Sequence, residues 1–251
     1  MIIIKNRRSL EFMAEAGALL ARMFHEVLGA YIVPGVSTLE VDAVIARYLK
    51  KYQLVSQTKG YCGYKHVSCI SINDEIVHGV PSAEKKIQEG DLVKIDVCAA
   101  MRGYCADMAR CFLVGEVPAP VQQLVSVAYS SLDKGIEQVV PGKRLTDISA
   151  AIQAEIDQYG FGIIRDFAGH GIGRSMHEDP EILNYGKPGM GPVIREGMAF
   201  AIEPMITLGG YERYITDDGW TAKTVDKSIA AHVEDTVIVT QHGPRIITRL
   251  S

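Results

Sequence analysis

The sequence lacks the features that would tie the protein to a membrane or to nucleic acid. It contains no uninterrupted apolar run of about 18 residues, so no membrane-spanning helix is predicted. The apolar run at its start, Ile2 to Ile4, is too short for a signal peptide. The net charge is −4 and the pI is about 6.0, so no overall positive field points to nucleic acid. We therefore expect no membrane association and no recognition of nucleic-acid sequence.

The sequence also has few cysteines, and their spacing predicts no cross-link. The five residues are Cys62, Cys69, Cys98, Cys105 and Cys111. Their number is odd and no pair is separated by two residues, which argues against a disulfide framework and against a zinc ribbon. We interpret them as reduced thiols, which predicts a cytoplasmic protein.

Several catalytic motifs are absent as well. The chain contains no G-x-S-x-G, no Walker A lysine loop, no complete G-x-G-x-x-G and no H-E-x-x-H. No Pro- or Ser-rich linker divides its 251 residues. The composition, 47% hydrophobic and 22% charged, is typical of a soluble globular enzyme.

What the chain does contain is an internal similarity. Pro34-Gly35 and Pro141-Gly142 each precede a helical pattern, and they lie 107 residues apart. The segment that ends at Asp96 resembles the segment that ends at Glu203, again at an offset of 107. Two segments with one offset predict a pseudo-repeat, about 9–115 and 120–251, within a single domain over 1–251. Ligands carried on both halves would meet at the axis between them.

Each half is predicted to contain two helices followed by strands, which makes an α+β fold. Apolar residues near helical spacing predict helices at about 9–31, 38–52, 121–140 and 146–159. Strands are predicted near 67–72, 91–100, 104–114, 162–166, 198–206, 211–215, 221–225 and 230–240.

Acidic residues recur at matched positions of the two halves. Asp96 and Glu203 each end an apolar strand segment, where a carboxylate is costly to bury without a partner. One such residue would suggest a salt bridge, but the recurrence favours a shared cation. A turn centred on Met101-Arg102 would place Asp107 opposite Asp96, with Cβ atoms about 4.5–5.5 Å apart. Two opposed carboxylates repel unless one is protonated or a divalent cation lies between them.

The second half supplies the remaining candidate ligands. Glu234 lies in a final apolar strand and is the natural counterpart of Asp107, although an insertion must lie between them and Asp235 is an adjacent rival. His170, flanked by glycines, supplies a nitrogen ligand. Four carboxylates and one imidazole suit two divalent ions, Mn²⁺, Fe²⁺, Co²⁺ or Zn²⁺, about 3.5–4 Å apart.

Two further histidines lie in loops rich in glycine and proline, where functional side chains are often displayed. They are His78 and His177. Taken alone, each is more typical of a surface histidine than of a catalytic one. His25, in a helical pattern, and His242, in a turn, are assigned no function.

Together these residues resemble the type I methionine aminopeptidases, which have the pita-bread fold. The matching stretches are Ser71 to Asn73, His78 to Pro81, Lys94 to Val97, Gly169 to Arg174, Met198 to Met205 and Asp218 to Thr221. The resemblance covers essentially the whole chain, in the short bacterial form. It implies two pseudo-symmetric helix-helix-strand halves around a central curved antiparallel sheet, forming a single catalytic domain.

The resemblance also implies the activity, which is removal of the initiator methionine from nascent polypeptides with a preference for a small second residue. Asp96 would chelate the first metal ion, and Asp107 and Glu234 would bridge the pair. His170 and Glu203 would complete the second site. The free α-amine of the substrate would lie near the first ion.

The implied chemistry is a hydrolysis. A water or hydroxide between the two ions would attack the scissile carbonyl, with Glu203 as general base. His177 would hydrogen-bond the carbonyl oxygen as it becomes an oxyanion. His78 would contact the scissile amide nitrogen.

A methionine pocket is implied by the same resemblance, beside His78 and His177. Its side chains would be Tyr61, Tyr64, Cys69, Met176 and Trp220. An apolar pocket that tolerates sulfur suits a thioether side chain. The chain departs from the family pattern at Met176, usually aromatic, at Met108, commonly threonine, and at Cys62, frequently histidine. These departures bear on the shape of the pocket, on turnover and on tolerance at the residue after methionine.

Two other functions compete with this one. A proline-directed relative, aminopeptidase P or prolidase, shares the metal ligands but carries a further N-terminal domain, which 251 residues cannot accommodate. A non-catalytic binding module would have lost ligands, whereas all five and both loop histidines are present. The family's task implies transient association with the ribosome, and the family leads us to expect a monomer.

Overall fold

The computed structural model describes residues 1–250 and contains four α-helices within them. They are α1 (Arg7–Glu26), α2 (Thr38–Lys51), α3 (Ala119–Ile136) and α4 (Leu145–Ile156). All four helices predicted from the sequence are present. The first ends earlier than predicted, because residues 28–31 form a separate 3₁₀ turn.

Fifteen strands accompany the helices in this part of the chain. The first eight are β1 (Val55–Ser56), β2 (Cys69–Ile72), β3 (Glu75–Val77), β4 (Leu92–Met101), β5 (Tyr104–Leu113), β6 (Gly162–Ile163), β7 (Gly169–Gly171) and β8 (Glu178–Ile182). The others are β9 (Ala199–Ile202), β10 (Met205–Thr207), β11 (Arg213–Ile215), β12 (Ala222–Thr224), β13 (Ala230–His232), β14 (Glu234–Thr240) and β15 (Gly243–Ile246). Of these, β1, β3, β7, β8 and β15 were not predicted, because each is short and carries little periodic signal.

Local chemistry explains where the helices begin. The Ser37 hydroxyl accepts from the backbone N–H of Glu40, and the Glu40 carboxylate accepts from the N–H of Ser37. This reciprocal pair satisfies two N–H groups that a helix start leaves free. Asn6 caps α1 by accepting from the backbone N–H of Ser9. The buried face of α1, which includes Met13 and Leu20, then packs against β4 and β5.

The central sheet has nine strands, and every pairing in it is antiparallel. Its main path runs β1-β4-β5-β14-β9-β7-β8, with β2 also paired to β4 and β15 paired to β14. Two three-stranded sheets, β13-β10-β6 and β11-β12-β3, flank it. The predicted α+β class and antiparallel central sheet are confirmed. No helix within residues 1–250 is both long and apolar enough to cross a membrane.

The predicted register of the β4–β5 hairpin is wrong by one position on each strand. Met101 pairs with Tyr104, so the turn consists of Arg102 and Gly103, and Asp107 faces Cys98 rather than Asp96. Both turn residues have positive φ, 51° and 79°. A two-residue turn of this kind matches the twist of antiparallel strands. Because Asp96 lies two residues from Cys98, it shares a face with Asp107 as a diagonal neighbour.

Two strands predicted as continuous are broken in the second half. The run predicted at 198–206 divides into β9 and β10 around Glu203-Pro204, and the run at 230–240 divides into β13 and β14 at Val233. Proline cannot donate a backbone hydrogen bond to a ladder. The breaks move β10 and β13 into a separate sheet, where Met205 pairs with His232.

Candidate metal centre

The five predicted metal ligands lie along five neighbouring strands of the central sheet. In spatial order they are Asp96 on β4, Asp107 on β5, Glu234 on β14, Glu203 directly after β9, and His170 on β7. They are separated by up to 138 positions in the sequence. The sheet therefore assembles one cluster from both halves of the chain.

Small residues separate the ligands across the sheet. Ala109 pairs with both Asp96 and Glu234, and Ala201 pairs with His170. Residues in register across antiparallel strands point to the same face. The short methyl side chains leave space above the sheet that the longer acidic side chains can enter. All five ligands border one cavity.

Two groups of three donor atoms lie close enough to share an ion. The groups are Asp107, His170 and Glu234, and Glu203, His232 and Glu234, with all donor atoms of a group within 4.8 Å of one another. His170 directs Nδ1 at the carbonyl oxygen of Gly171, 3.0 Å away. This contact leaves Nε2 of His170 free to act as a ligand.

Two buried oxygen atoms support a divalent cation here. Among residues 1–250, Oδ1 of Asp107 and Oε1 of Glu234 are buried without a hydrogen-bond partner. A buried carboxylate is expected to be paired, hydrogen-bonded or bound to a metal. The donor set, four carboxylates and an imidazole, fits borderline divalent ions. The residues therefore fit the metal that the sequence predicts.

The four carboxyl groups are buried close to one another, and the pKa of each is raised as a result. Burial raises the pKa of Glu203 to about 8. Burial and the charge of Glu203 raise the pKa of Asp107 to about 7. Burial and the charge of Asp107 raise the pKa values of Asp96 and Glu234 well above their usual range. Divalent ions would remove this penalty by stabilising the charged forms.

The pKa values of the histidines shift in the opposite direction, and burial is again the main cause. Burial lowers the pKa values of His78, His170 and His232 to about 4 and also lowers that of His177. All four imidazoles are therefore neutral near pH 7. A neutral imidazole has one N–H donor and one lone pair, which can bind a metal ion.

The choice between Glu234 and Asp235 is decided by the face of the strand. Asp235 is fully buried on the opposite face, where its carboxylate accepts hydrogen bonds from Arg110, Arg249 and Thr248. Those partners satisfy Asp235 without a metal. Glu234 instead borders the cavity.

The cavity above the ligands has a volume of about 110 Å³. It is bordered by all the predicted pocket and catalytic side chains, namely Tyr61, Tyr64, Cys69, His78, Met176, His177 and Trp220. Thr58 and Cys98 also border it and were not predicted. Cys98 could have been found from the correct hairpin register, which places it opposite Asp107.

Aromatic side chains form the apolar end of this cavity. The rings of Tyr64 and Trp220 meet edge to face with centroids 4.9 Å apart. The Tyr64 hydroxyl donates to the carbonyl of Ser68 at 3.0 Å. Asp218 holds the turn before the indole by accepting from the backbone N–H groups of Trp220 and Thr221. Cys69 pairs with Asp96 on the neighbouring strand, which brings the pocket next to the ligands.

The two loop histidines border the same cavity as the ligand cluster. The ring of His177 is 4.5 Å from that of His170, centroid to centroid, and its Nδ1 is 3.3 Å from the Tyr61 hydroxyl. His78 has φ of 59°, a left-handed conformation that is uncommon outside glycine. Its ring packs edge to face against Phe167 at 5.2 Å. A strained backbone at such a site is consistent with a functional constraint.

Of the three residues that depart from the family pattern, Met176 borders the cavity. Met108 does not border it, because its side chain is buried against the helices and borders a separate outer groove of about 600 Å³. Its side chain follows Asp107 directly and so points to the other face. Cys62 is exposed and does not border the cavity either.

One residue of the cluster was not predicted at all. His232 is 2% exposed, and its Nε2 lies 3.2 Å from Oε2 of Glu203. The available signal was its position two residues before Glu234 in the same apolar run, since such residues share a face of a strand.

The chain is similar to known proteins over nearly its whole length. Residues 11–241 match the model of metallopeptidase family M24. The methionine aminopeptidase of Clostridium acetobutylicum is 43% identical over 248 residues, which is 99% of each chain.

Solved structures agree with this match. The methionine aminopeptidase of Thermotoga maritima superposes with a TM-score of 0.97 at 44% identity, over 100% of both chains. The Xaa-Pro dipeptidase of Bacillus anthracis superposes with a TM-score of 0.78 at 26% identity, over 99% of this chain and 62% of that one. These likenesses confirm the predicted pita-bread fold.

Proposed function

The chain belongs to the type I methionine aminopeptidases of metallopeptidase family M24, and from this we propose that it removes the initiator methionine from nascent polypeptides whose second residue is small. It is a metal-dependent hydrolase with a divalent metal cofactor. The observation that carries the finer proposal is the pair of unpartnered buried oxygens of Asp107 and Glu234 at the base of an aromatic cavity.

We propose that two divalent ions, Co, Mn, Fe or Zn, are held by this chain. The proposed ligands are Asp96, Asp107, His170, Glu203 and Glu234. When bound, such ions lower the pKa of water and polarise a carbonyl group.

The proposed proton acceptor is Glu203. Divalent ions beside it would hold its carboxylate in the ionised form, which can accept a proton. One of its oxygens faces His170 at 3.5 Å and the other faces His232 at 3.2 Å. Glu203 would take the proton from the attacking water and deliver it to the leaving amine.

His177 is the proposed donor to the developing oxyanion. The Tyr61 hydroxyl, 3.3 Å from Nδ1, can donate to that nitrogen. A neutral imidazole that accepts at Nδ1 carries its proton on Nε2, which is then available to the oxyanion. His78, held against Phe167, would contact the scissile amide nitrogen.

The substrate side chain would enter the apolar end of the cavity. Tyr61, Tyr64, Cys69, Met176 and Trp220 border that space, and a thioether makes favourable contacts with aromatic rings. We further propose that the protein is a cytoplasmic monomer that acts on polypeptides emerging from the ribosome, through transient contact with it.

The test measures methionine release from Met-Ala-Ser and Met-Leu-Ser by protein reconstituted with Mn²⁺ or Co²⁺. We expect metal-dependent cleavage of the first peptide, weak cleavage of the second, and loss of both in Glu203→Ala and His177→Ala. An Ala-Pro dipeptide, which a proline-directed enzyme would cleave, should remain intact. Cleavage of Ala-Pro alone, or no cleavage with metal bound, would contradict the proposal.

A further inference from the structure

His232 lies at the edge of the ligand cluster but has no role in the proposed chemistry so far. It ends β13, where it pairs with Met205 of β10. Glu203 lies two residues before Met205. The pairing of these two short strands therefore brings the imidazole to the carboxylate, although the two residues are 29 positions apart.

The two oxygens of Glu203 face different imidazoles. Oε1 lies 3.5 Å from Nε2 of His170, and Oε2 lies 3.2 Å from Nε2 of His232. His170 makes a second contact through Nδ1, which lies 3.0 Å from the Gly171 carbonyl oxygen. A carbonyl only accepts, so the ring proton of His170 is on Nδ1 and its Nε2 carries a lone pair.

The His232 ring has a different environment. Within residues 1–250, its one side-chain hydrogen bond is the contact of Nε2 with Glu203. Bound divalent ions would keep Glu203 ionised, and an ionised carboxylate only accepts, so this contact then requires the proton on Nε2. The two histidines on either side of Glu203 would then be opposite tautomers.

We propose that His232 is a positioning residue, which donates its Nε2 proton to Oε2 of Glu203 and thereby directs Oε1 toward His170. The inference rests on the proposed function, because it assigns different tasks to the two oxygens of the proposed general base. A carboxylate held by one hydrogen bond cannot rotate freely. Hydrogen-bond partners of ligating carboxylates typically contribute 10- to 100-fold to activity or metal affinity.

The kinetic test compares His232→Leu with His232→Gln, since a glutamine amide can still donate. We expect His232→Leu to lower kcat for Met-Ala-Ser about 10- to 100-fold with KM changed less than about twofold. His232→Gln should recover most of that loss. His242→Leu, at an exposed histidine, is the matched control and should behave like the wild type. Equal kcat in wild type and His232→Leu, or no recovery in a folded His232→Gln, would overturn the inference.

A direct test reads the tautomers from long-range ¹H–¹⁵N correlations of ring-labelled protein saturated with diamagnetic Zn²⁺. We expect the proton on Nε2 of His232 and on Nδ1 of His170. A proton on Nδ1 of His232 would overturn the inference, because Nε2 would then be a metal ligand, as its group with Glu203 and Glu234 also allows. This measurement needs no turnover. A wild type that releases no methionine would therefore contradict the proposed function while leaving this result interpretable.

Discussion

The acidic pairs of the two halves are built on different backbones. Asp96 and Asp107 lie inside an unbroken hairpin of two ten-residue strands, joined by a two-residue turn. Glu203 and Glu234 lie where strands break, one directly after β9 and the other at the start of β14. The shorter aspartates come from the regular backbone and the longer glutamates from the interrupted one.

The two kinds of backbone suit two different tasks, which are binding metal ions and moving protons. A continuous ladder holds short side chains rigidly, which suits residues that only bind metal ions. The broken strands admit a third element, β13, and with it His232 beside Glu203. In the proposed mechanism the first half therefore holds metal, whereas the second half both holds metal and moves protons.

The sharpest test of that separation replaces one acid in each half. We expect Glu203→Gln to lower kcat by about 10²- to 10⁴-fold even at saturating Mn²⁺, because a general base is lost. Asp96→Asn should weaken metal binding and regain activity as metal concentration rises. The measurements are kcat against metal concentration and metal affinity by calorimetry. Full recovery of Glu203→Gln at high metal would show that the two halves do not differ in this way.

The next test concerns a contact between the halves, that of Tyr61 with His177. We expect His177→Ala to lower kcat by about 10²- to 10³-fold, as loss of an oxyanion donor does. Tyr61→Phe should have a smaller effect, and it should vanish in the His177→Ala background if Tyr61 acts through the imidazole. Additive losses in a double-mutant cycle would rule out that coupling.

A third test uses the stability of the metal-free protein. Because burial raises the pKa of Glu203 to about 8 and contributes to raising that of Asp107 to about 7, the folded chain keeps protons that the unfolded chain has released. The free energy of unfolding should therefore fall as pH rises from 6.5 to 8, by up to about 1.4 kcal/mol per pH unit for each group.

The histidines do not obscure this window. Their lowered pKa values make stability rise with pH only between about 4 and the usual value of 6.5. Urea unfolding at pH 6.5, 7.2 and 8 would measure the slope. Glu203→Gln should make it shallower, and saturating Zn²⁺ should abolish it. A metal-free protein whose stability is flat over this range would contradict the assigned shifts.

The smallest effect, a loss of stability, is expected for a substitution in the turn that sets the register of the β4–β5 hairpin. Gly103 has φ of 79°, so Gly103→Ala should destabilise the protein by about 1–2 kcal/mol. Gly29→Ala is a matched control, because Gly29 has no positive φ and no atom within 4 Å of an added Cβ. Thermal unfolding would compare them. Equal melting temperatures for both variants would contradict the observed turn.

Much of the fold could be predicted from residue pattern alone. The helices follow from apolar spacing and from caps such as Ser37, and these are local interactions that sequence displays directly. Short strands such as β7 carry too few residues for a periodic signal. The hairpin register was mispredicted because it depends on which residues adopt positive φ. Arg102 does so, but an arginine rarely has positive φ, so its presence in the sequence does not predict the turn.

The sequence by itself determined which residue types could form a metal centre, because acids that recur in apolar strands need a cation or a counter-charge. Only the tertiary structure decided which side each one faces. Glu234 and Asp235 are chemically similar neighbours, yet one borders the cavity and the other is neutralised by Arg110 and Arg249. His232 likewise acquires its partner only through the pairing of β10 with β13. Such contacts depend on strand pairing between distant segments, which no local pattern encodes.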